Sequence, residues 1–182
     1  VDPAWDVANL MQHINTKGYT LNAALATHYH PDHVGGSFGS NNVEGVATLM
    51  ELNPVKVYAH KLEVPGLKKV TELSDSDIVS VDSGDTLKVG NIEIEILHTP
   101  GHTPGSQCFR VKNTLISGDT LFINGCGRVD LPGSNSEDMY HSICKLCELP
   151  DDTLLLPGHN YGQVPNATLG DTKQMNTYMH IK

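Results

Sequence analysis

No stretch of the 182-residue sequence approaches the roughly 18 uninterrupted apolar residues of a membrane-spanning helix, so a soluble chain without a membrane partner is expected. Basic charge is scarce: 12 Lys and Arg stand against 21 Asp and Glu, a formal net charge of −9. A surface that tracks nucleic-acid phosphates needs the opposite balance, so nucleic acid is not an expected partner. Cysteine is sparse as well. Cys108, Cys126, Cys144 and Cys147 are too few for the disulfide scaffolds of much smaller secreted domains, and a reducing intracellular setting, cytoplasm or organelle matrix, is expected. The opening Val1, Asp2, Pro3 shows no charged region followed by an apolar stretch, so no signal peptide is read there. No internal repeat, low-complexity tract or linker is present, and the length fits one domain over residues 1–182. The 38% of hydrophobic residues suffices for one core. Against these absences stands one excess: ten histidines, unevenly placed.

Strand and helix signals are interspersed. Val7, Leu10, Met11 and Ile14 recur at one-face helical spacing between a capping Asp6 and Gly18, which predicts a first helix over 6–17. Leu21 to Thr27 reads as a buried strand running into His28, Asn42 to Leu52 as a helix before Pro54, and Val55 to Ala59 as a strand. Ile92, Ile94 and Ile96 alternate with Glu93 and Glu95 in a half-exposed strand ending at His98. Cys108 to Val111 and Thr114 to Ser117 form a hairpin around Lys112 and Asn113. Ser136 to Glu148 reads as a helix with Ser136 as its cap and Met139, Ile143 and Leu146 on one face, and Thr153 to Leu156 as a last strand. This is an α/β or α+β pattern with helices covering sheet faces.

The histidines concentrate at strand ends. In the run His28, Tyr29, His30, Pro31, Asp32, His33, period-two alternation puts His28 and His30 on one side, where two imidazoles can share an ion. Pro31 bends the path, so Asp32 and His33 are presented from a turn and can hold a second ion. Three further candidates follow apparent strand ends among small residues and prolines: His102, Asp119 and His159. Five histidines and two aspartates form the candidate set. Two divalent cations, two carboxylates and a bridging hydroxide would leave about +1, which attracts an electron-rich carbonyl or an anionic substrate even on an acidic protein. His13, His60, His141 and His180 read as ordinary core or surface residues, and His98 as either that or support for a ligand. Cys144 and Cys147 have CxxC spacing but fall in an amphipathic helix, where core packing is expected over a zinc or redox pair. Cys126, between glycines, reads as tightly packed, and Trp5 as an anchor beside the first helix.

At these residues the sequence resembles the metallo-β-lactamase superfamily. His28, His30, Asp32 and His33 match its HxHxDH motif, and His102, Asp119 and His159 match the later ligand positions. The resemblance implies a four-layer αββα sandwich with metals at one edge of the two sheets. It assigns His28, His30 and His102 to one metal, Asp32, His33 and His159 to the other, and Asp119 to the bridge. The run Gly118 to Arg128 (GDTLFINGCGR), followed by Val129 and Asp130, resembles the glyoxalase II and persulfide dioxygenase branch, whose members act on glutathione derivatives. His30 stands where diiron flavoproteins carry a glutamate, and the added modules of RNA-processing relatives are not seen. Relative to the family, the first N-terminal strands are expected to be absent. The tail after His159, with Thr168, Leu169, Gly170 and Asn176, resembles the single-domain glyoxalase-like proteins and persulfide dioxygenases.

The leading expectation is a metal-dependent hydrolase of a thioester such as S-lactoylglutathione, using two divalent ions, zinc, iron or both. A metal-bridging hydroxide attacks the carbonyl, and Asp32 orients the nucleophile and takes its proton. The thiolate leaves without a strong general acid, because its conjugate acid has a pKa of about 8.5 to 9. Arg128 can receive a substrate carboxylate through its planar fork, with a surface ion pair as the bland reading; Tyr161 is a second substrate-contact candidate, with packing as its bland reading. One rival is a mononuclear Fe(II) dioxygenase of glutathione persulfide using His28, His102 and Asp119. Another is a metal-stabilised, non-enzymatic binding protein or inactive fragment.

Overall fold

A computed structural model describes residues 1–180. The chain divides into two compact units, Val1–Val81 and Asp82–Lys182, each with its own apolar cluster.

In the first unit α1 (Val7–Thr16) starts at Asp6, whose carboxylate accepts the Asn9 amide proton, as the capping signal predicts. Then come β1 (Ala23–Leu25), the single-turn α2 (Pro31–Val34), β2 (Gly36–Phe38), β3 (Asn41–Val43), α3 (Val46–Leu52), β4 (Lys56–His60), α4 (Val64–Thr71) and β5 (Ile78–Val81). β1, β4 and β5 form a parallel sheet in that order, and β2 and β3 a separate hairpin. Short apolar runs such as Ala23–Leu25 suit strands covered on both faces. Ala24, Ala26, Val57 and Ala59 join Val7, Val46, Leu49 and Leu67 from the helices in the core.

The helix expected over 42–52 begins only at Val46. Asn41–Val43 is a strand, because the chain returns through Gly45 to lie against Gly35. A Cβ on Gly45 would stand 2.1 Å from the Val34 carbonyl oxygen, so only glycine fits that crossing. Glu44 is also tied outward, its carboxylate accepting the Val7 amide proton and its carbonyl that of Trp5. α4 carries Pro65 and Gly66 in its first turn, residues that conceal a helix in a periodicity reading although proline is tolerated there.

The second unit is a six-stranded sheet in the order β11-β10-β9-β8-β7-β6, built from β6 (Thr86–Val89), β7 (Ile92–His98), β8 (Gln107–Val111), β9 (Thr114–Gly118), β10 (Leu154–Pro157) and β11 (Ala167–Thr168), with α5 (Ser136–Cys147), α6 (Leu169–Met175) and a 3₁₀ turn, Thr177–Met179. The expected β8–β9 hairpin turns at Lys112, which takes φ +53°. β9 and β10 are parallel, and α5 makes the crossover such a pair requires. Met139, Ile143 and Leu146 of α5 pack with Leu97, Leu115 and Leu155 of the sheet. The cap of α5 is Asn135 rather than Ser136: its side-chain oxygen accepts the Glu137 and Asp138 amide protons. Among the described residues no helix is long and apolar enough to cross a membrane.

Candidate metal centre

In the first unit the HxHxDH run leaves β1 through Thr27 and enters α2, with Pro31 at its first turn. The imidazoles of His28 and His30 have centroids 4.7 Å apart and those of His28 and His33 4.2 Å apart, so the run brings the three rings together. The Nε2 of His33 lies 3.8 Å from Oδ2 of Asp32.

Asp2, which the motif reading passed over, organises this cluster. Its carboxylate accepts the Thr27 amide proton at 2.7 Å and the Thr27 hydroxyl proton at 2.7 Å, and it contacts His33 Nδ1 at 2.9 Å. A carboxylate only accepts, so His33 donates from Nδ1 and keeps its lone pair on Nε2. The Thr27 hydroxyl spends its proton on Asp2, so at 3.0 Å it accepts from His28 Nδ1, which again leaves the lone pair on Nε2. One carboxylate thereby sets two imidazole tautomers. The backbone of Asp2 is fixed too, its amide donating to Leu25 at the end of β1.

Trp5, expected as an anchor beside α1, makes its tie through the indole N–H rather than by burial. It is 58% exposed, and its indole N–H donates to the Asp32 carbonyl at 3.0 Å, which ties α2 to the segment before α1. Burial and then the Glu63 carboxylate hold the Tyr29 phenol above its ordinary pKa.

The second unit brings His102, Asp119 and His159 together. His102 lies in the loop between β7 and β8, Asp119 directly follows β9, and His159 follows β10 by one glycine. His102 Nε2 is 3.6 Å and His159 Nε2 3.4 Å from the same oxygen of Asp119, Oδ2. Two ligand atoms about 2.0–2.1 Å from one tetrahedral ion stand about 3.4 Å apart, so both spacings fit imidazole–carboxylate pairs that share an ion. His102 donates from Nδ1 to the Arg128 carbonyl at 2.9 Å, because a carbonyl only accepts; its lone pair is on Nε2. Three-donor sets of imidazole and carboxylate suit zinc or iron.

The supports are local. Thr99 and Thr120 hydroxyls bond at 2.8 Å, joining the His102 loop to the residue after Asp119. His98 bonds the Pro104 carbonyl at 2.9 Å, closing that loop on itself. A Cβ on Gly127 would lie 2.0 Å from the Asp119 carbonyl oxygen and 3.0 Å from the His102 ring, which accounts for a glycine between Cys126 and Arg128. The Arg128 guanidinium forms a bidentate pair with Asp130 at 2.9 and 3.0 Å, and that pairing raises its pKa. Tyr161 stacks on His159 at 5.1 Å with 12° between planes, and Phe122 meets both rings edge-on. Elsewhere, His60 is buried, whereas His13, His141 and His180 lie at the surface. All four cysteines are free. Cys147 packs against the core of the second unit, and burial raises the thiol pKa of Cys126 and Cys147, with that of Cys108 pushed up to about 11.

Comparison with known proteins gives a consistent picture. The family model described as Metallo-beta-lactamase superfamily matches residues 1–159. The probable polyketide biosynthesis zinc-dependent hydrolase PksB of Bacillus subtilis (strain 168) is 30% identical over 182 residues, covering 100% of this chain and 75% of that protein. A hydroxyacylglutathione hydrolase of Tolumonas auensis is 35% identical over 162 residues, covering 88% of this chain; the match spans 56% of that enzyme. Among solved structures, ETHE1 from Myxococcus xanthus superposes with TM-score 0.81 at 26% identity, covering 100% of this chain and 73% of that one. TTHA1623 in a di-iron-bound form superposes with TM-score 0.77 at 31% identity, covering 97% and 87%. The mixed α/β class and the glyoxalase II and persulfide dioxygenase-like branch read from the sequence both agree with these relatives.

Proposed function

The chain belongs to the metallo-β-lactamase superfamily, a family of metal-dependent hydrolase-type enzymes, and we propose that within it this protein is a thioester hydrolase with a two-metal site. In this reading residues 1–182 act as one domain, and His28, His30, Asp32, His33, His102, Asp119 and His159 serve one centre. The family match runs through both units, which supports treating their two ligand sets together. The carrying observation is the single Asp119 oxygen that faces two imidazoles, at 3.4 and 3.6 Å. A carboxylate within ligand spacing of both imidazoles would be able to serve an ion on either side, whereas a one-metal triad of His28, His102 and Asp119 has no use for His159.

When bound, two divalent ions supply Lewis acidity and a water nucleophile at neutral pH. The chain's own residues supply the rest. Asp32 retains solvent access, with its side chain 20% exposed, and its carboxylate orients the nucleophile and takes its proton. A thiolate leaving group departs without a proton donor, so this hydrolysis needs no strong acid beside the cluster. Arg128, once released from Asp130, and Tyr161, stacked beside His159, meet the substrate's peptide part. A small thiol derivative such as S-lactoylglutathione is the proposed substrate, a reading supported by the hydroxyacylglutathione hydrolase relatives.

The likeness to ETHE1 supports the second reading, a one-iron dioxygenase of glutathione persulfide held by His28, His102 and Asp119. Parallel assays on metal-loaded protein separate the two. Free thiol released from S-lactoylglutathione, without oxygen uptake on glutathione persulfide, is the expected result. Oxygen uptake with no thiol release would replace the hydrolase by the dioxygenase, and neither activity in a folded, metal-loaded chain would favour a binding protein.

A further inference from the structure

Glu63 is completely buried (0% exposed), a costly place for a carboxylate unless hydrogen bonds repay its lost hydration. It stands immediately before α4, and its Oε2 accepts the backbone N–H of Tyr29 at 2.8 Å. Its own amide donates to the His60 carbonyl at the end of β4, and its carbonyl accepts from Leu67 inside α4. The backbone of Glu63 is therefore held by the strand and helix that flank it. Tyr29 is gripped a second time through its ring: a Cβ on Gly66 would lie 2.6 Å from the phenol ring carbons, so α4 presents a bare backbone to the ring. Tyr29 separates His28 from His30.

We propose that Glu63 is a positioning residue for this metal-binding segment. Its carboxylate fixes the Tyr29 amide between the two imidazoles, whose centroids lie 4.7 Å apart. The proposal rests on the reading of His28 and His30 as metal ligands. Through Oε2, Glu63 gives the segment an acceptor for the Tyr29 amide, a neutral donor. The glutamine side chain keeps an acceptor oxygen at the same reach, and leucine keeps the volume without it.

The test titrates apoprotein with Co(II) and records the visible spectrum of the bound ion, using wild type, Glu63→Gln, Glu63→Leu and His30→Ala, each checked for folding by circular dichroism. Support partners of metal ligands change affinity by about 10–100-fold. Glu63→Gln is expected to bind within about threefold of wild type with an unchanged spectrum, and Glu63→Leu to bind at least about tenfold more weakly with altered bands. Folded Glu63→Leu with wild-type affinity and bands would overturn the positioning role, even if His30→Ala loses binding. Wild-type binding by His30→Ala would instead overturn the ligand reading itself. If Glu63→Leu does not fold, Glu63→Gln decides together with the exchange protection of the Tyr29 amide: retained affinity with a protected amide upholds the proposal. A loss above tenfold while that amide stays protected would overturn it.

Discussion

Replacing Asp2 by asparagine changes one oxygen into an NH₂ group and leaves the shape intact, yet it should cripple His33 as a ligand. In the wild-type chain the Asp2 carboxylate accepts three hydrogen bonds, from the Thr27 amide, the Thr27 hydroxyl and His33 Nδ1. The side-chain amide of the variant has a single acceptor oxygen. If that oxygen keeps the Thr27 amide proton, the NH₂ group faces His33 Nδ1, which must then become the acceptor. The imidazole proton moves to Nε2, and the lone pair that would bind a metal is lost. Restoring the binding tautomer sets one N–H against another and forfeits a hydrogen bond in a mostly buried place, with the Asp2 side chain 14% exposed. That costs about 1.5–3 kcal/mol, or about a 10- to 150-fold loss in affinity for the ion held by His33. Isothermal titration of the apoprotein with Zn(II) measures it, with thermal melts of the apoprotein as the control for folding. A well-folded Asp2→Asn protein that binds Zn(II) as tightly as wild type, over every site, would refute the tautomer argument.

Other expectations follow from the same geometry. Gly127→Ala puts a methyl 2.0 Å from the Asp119 carbonyl oxygen, backbone that cannot yield cheaply; a cost of about 1–3 kcal/mol in urea unfolding and weaker metal binding are expected, and a neutral result would contradict the packing described. Leu155→Ala removes a fully buried side chain of β10 and should lower stability by about 2–5 kcal/mol; a loss below about 1 kcal/mol in the same unfolding assay would mean that the cluster collapses around the void. The Cys108 thiol is buried and pushed up to about 11, so at pH 8 iodoacetamide should leave it unmodified until denaturant is added. Rapid labelling of Cys108 in native protein, read by peptide mass, would show that this core opens.

The candidate ligand segments were legible because their pattern is local. His28, His30, Asp32 and His33 fall within six residues, a range over which local backbone geometry and the proline turn act. His102, Asp119 and His159 were marked by glycine, proline and strand ends. The supports were not legible in the same way. Asp2 reaches His33 across 31 positions and Glu63 reaches Tyr29 across 34, and no short-range pattern encodes such a pairing. The same limit explains the helix start at Val46: the constraint on Gly45 comes from Gly35, ten positions away. Trp5 reads as an anchor from its place beside the first helix. Its exposed ring and its bond to the Asp32 carbonyl depend on where α2 lies. Within α5, the choice of Asn135 over Ser136 as cap is a one-residue matter, at the scale where helix ends are least determined.

The central claim, that Asp119 is shared by two metals, is tested most directly by metal content. Protein purified without chelator or added metal, analysed by inductively coupled plasma mass spectrometry, should carry two zinc or iron ions per chain. His159→Ala should carry one. A wild-type content of one iron per chain, unchanged in His159→Ala, would contradict the claim.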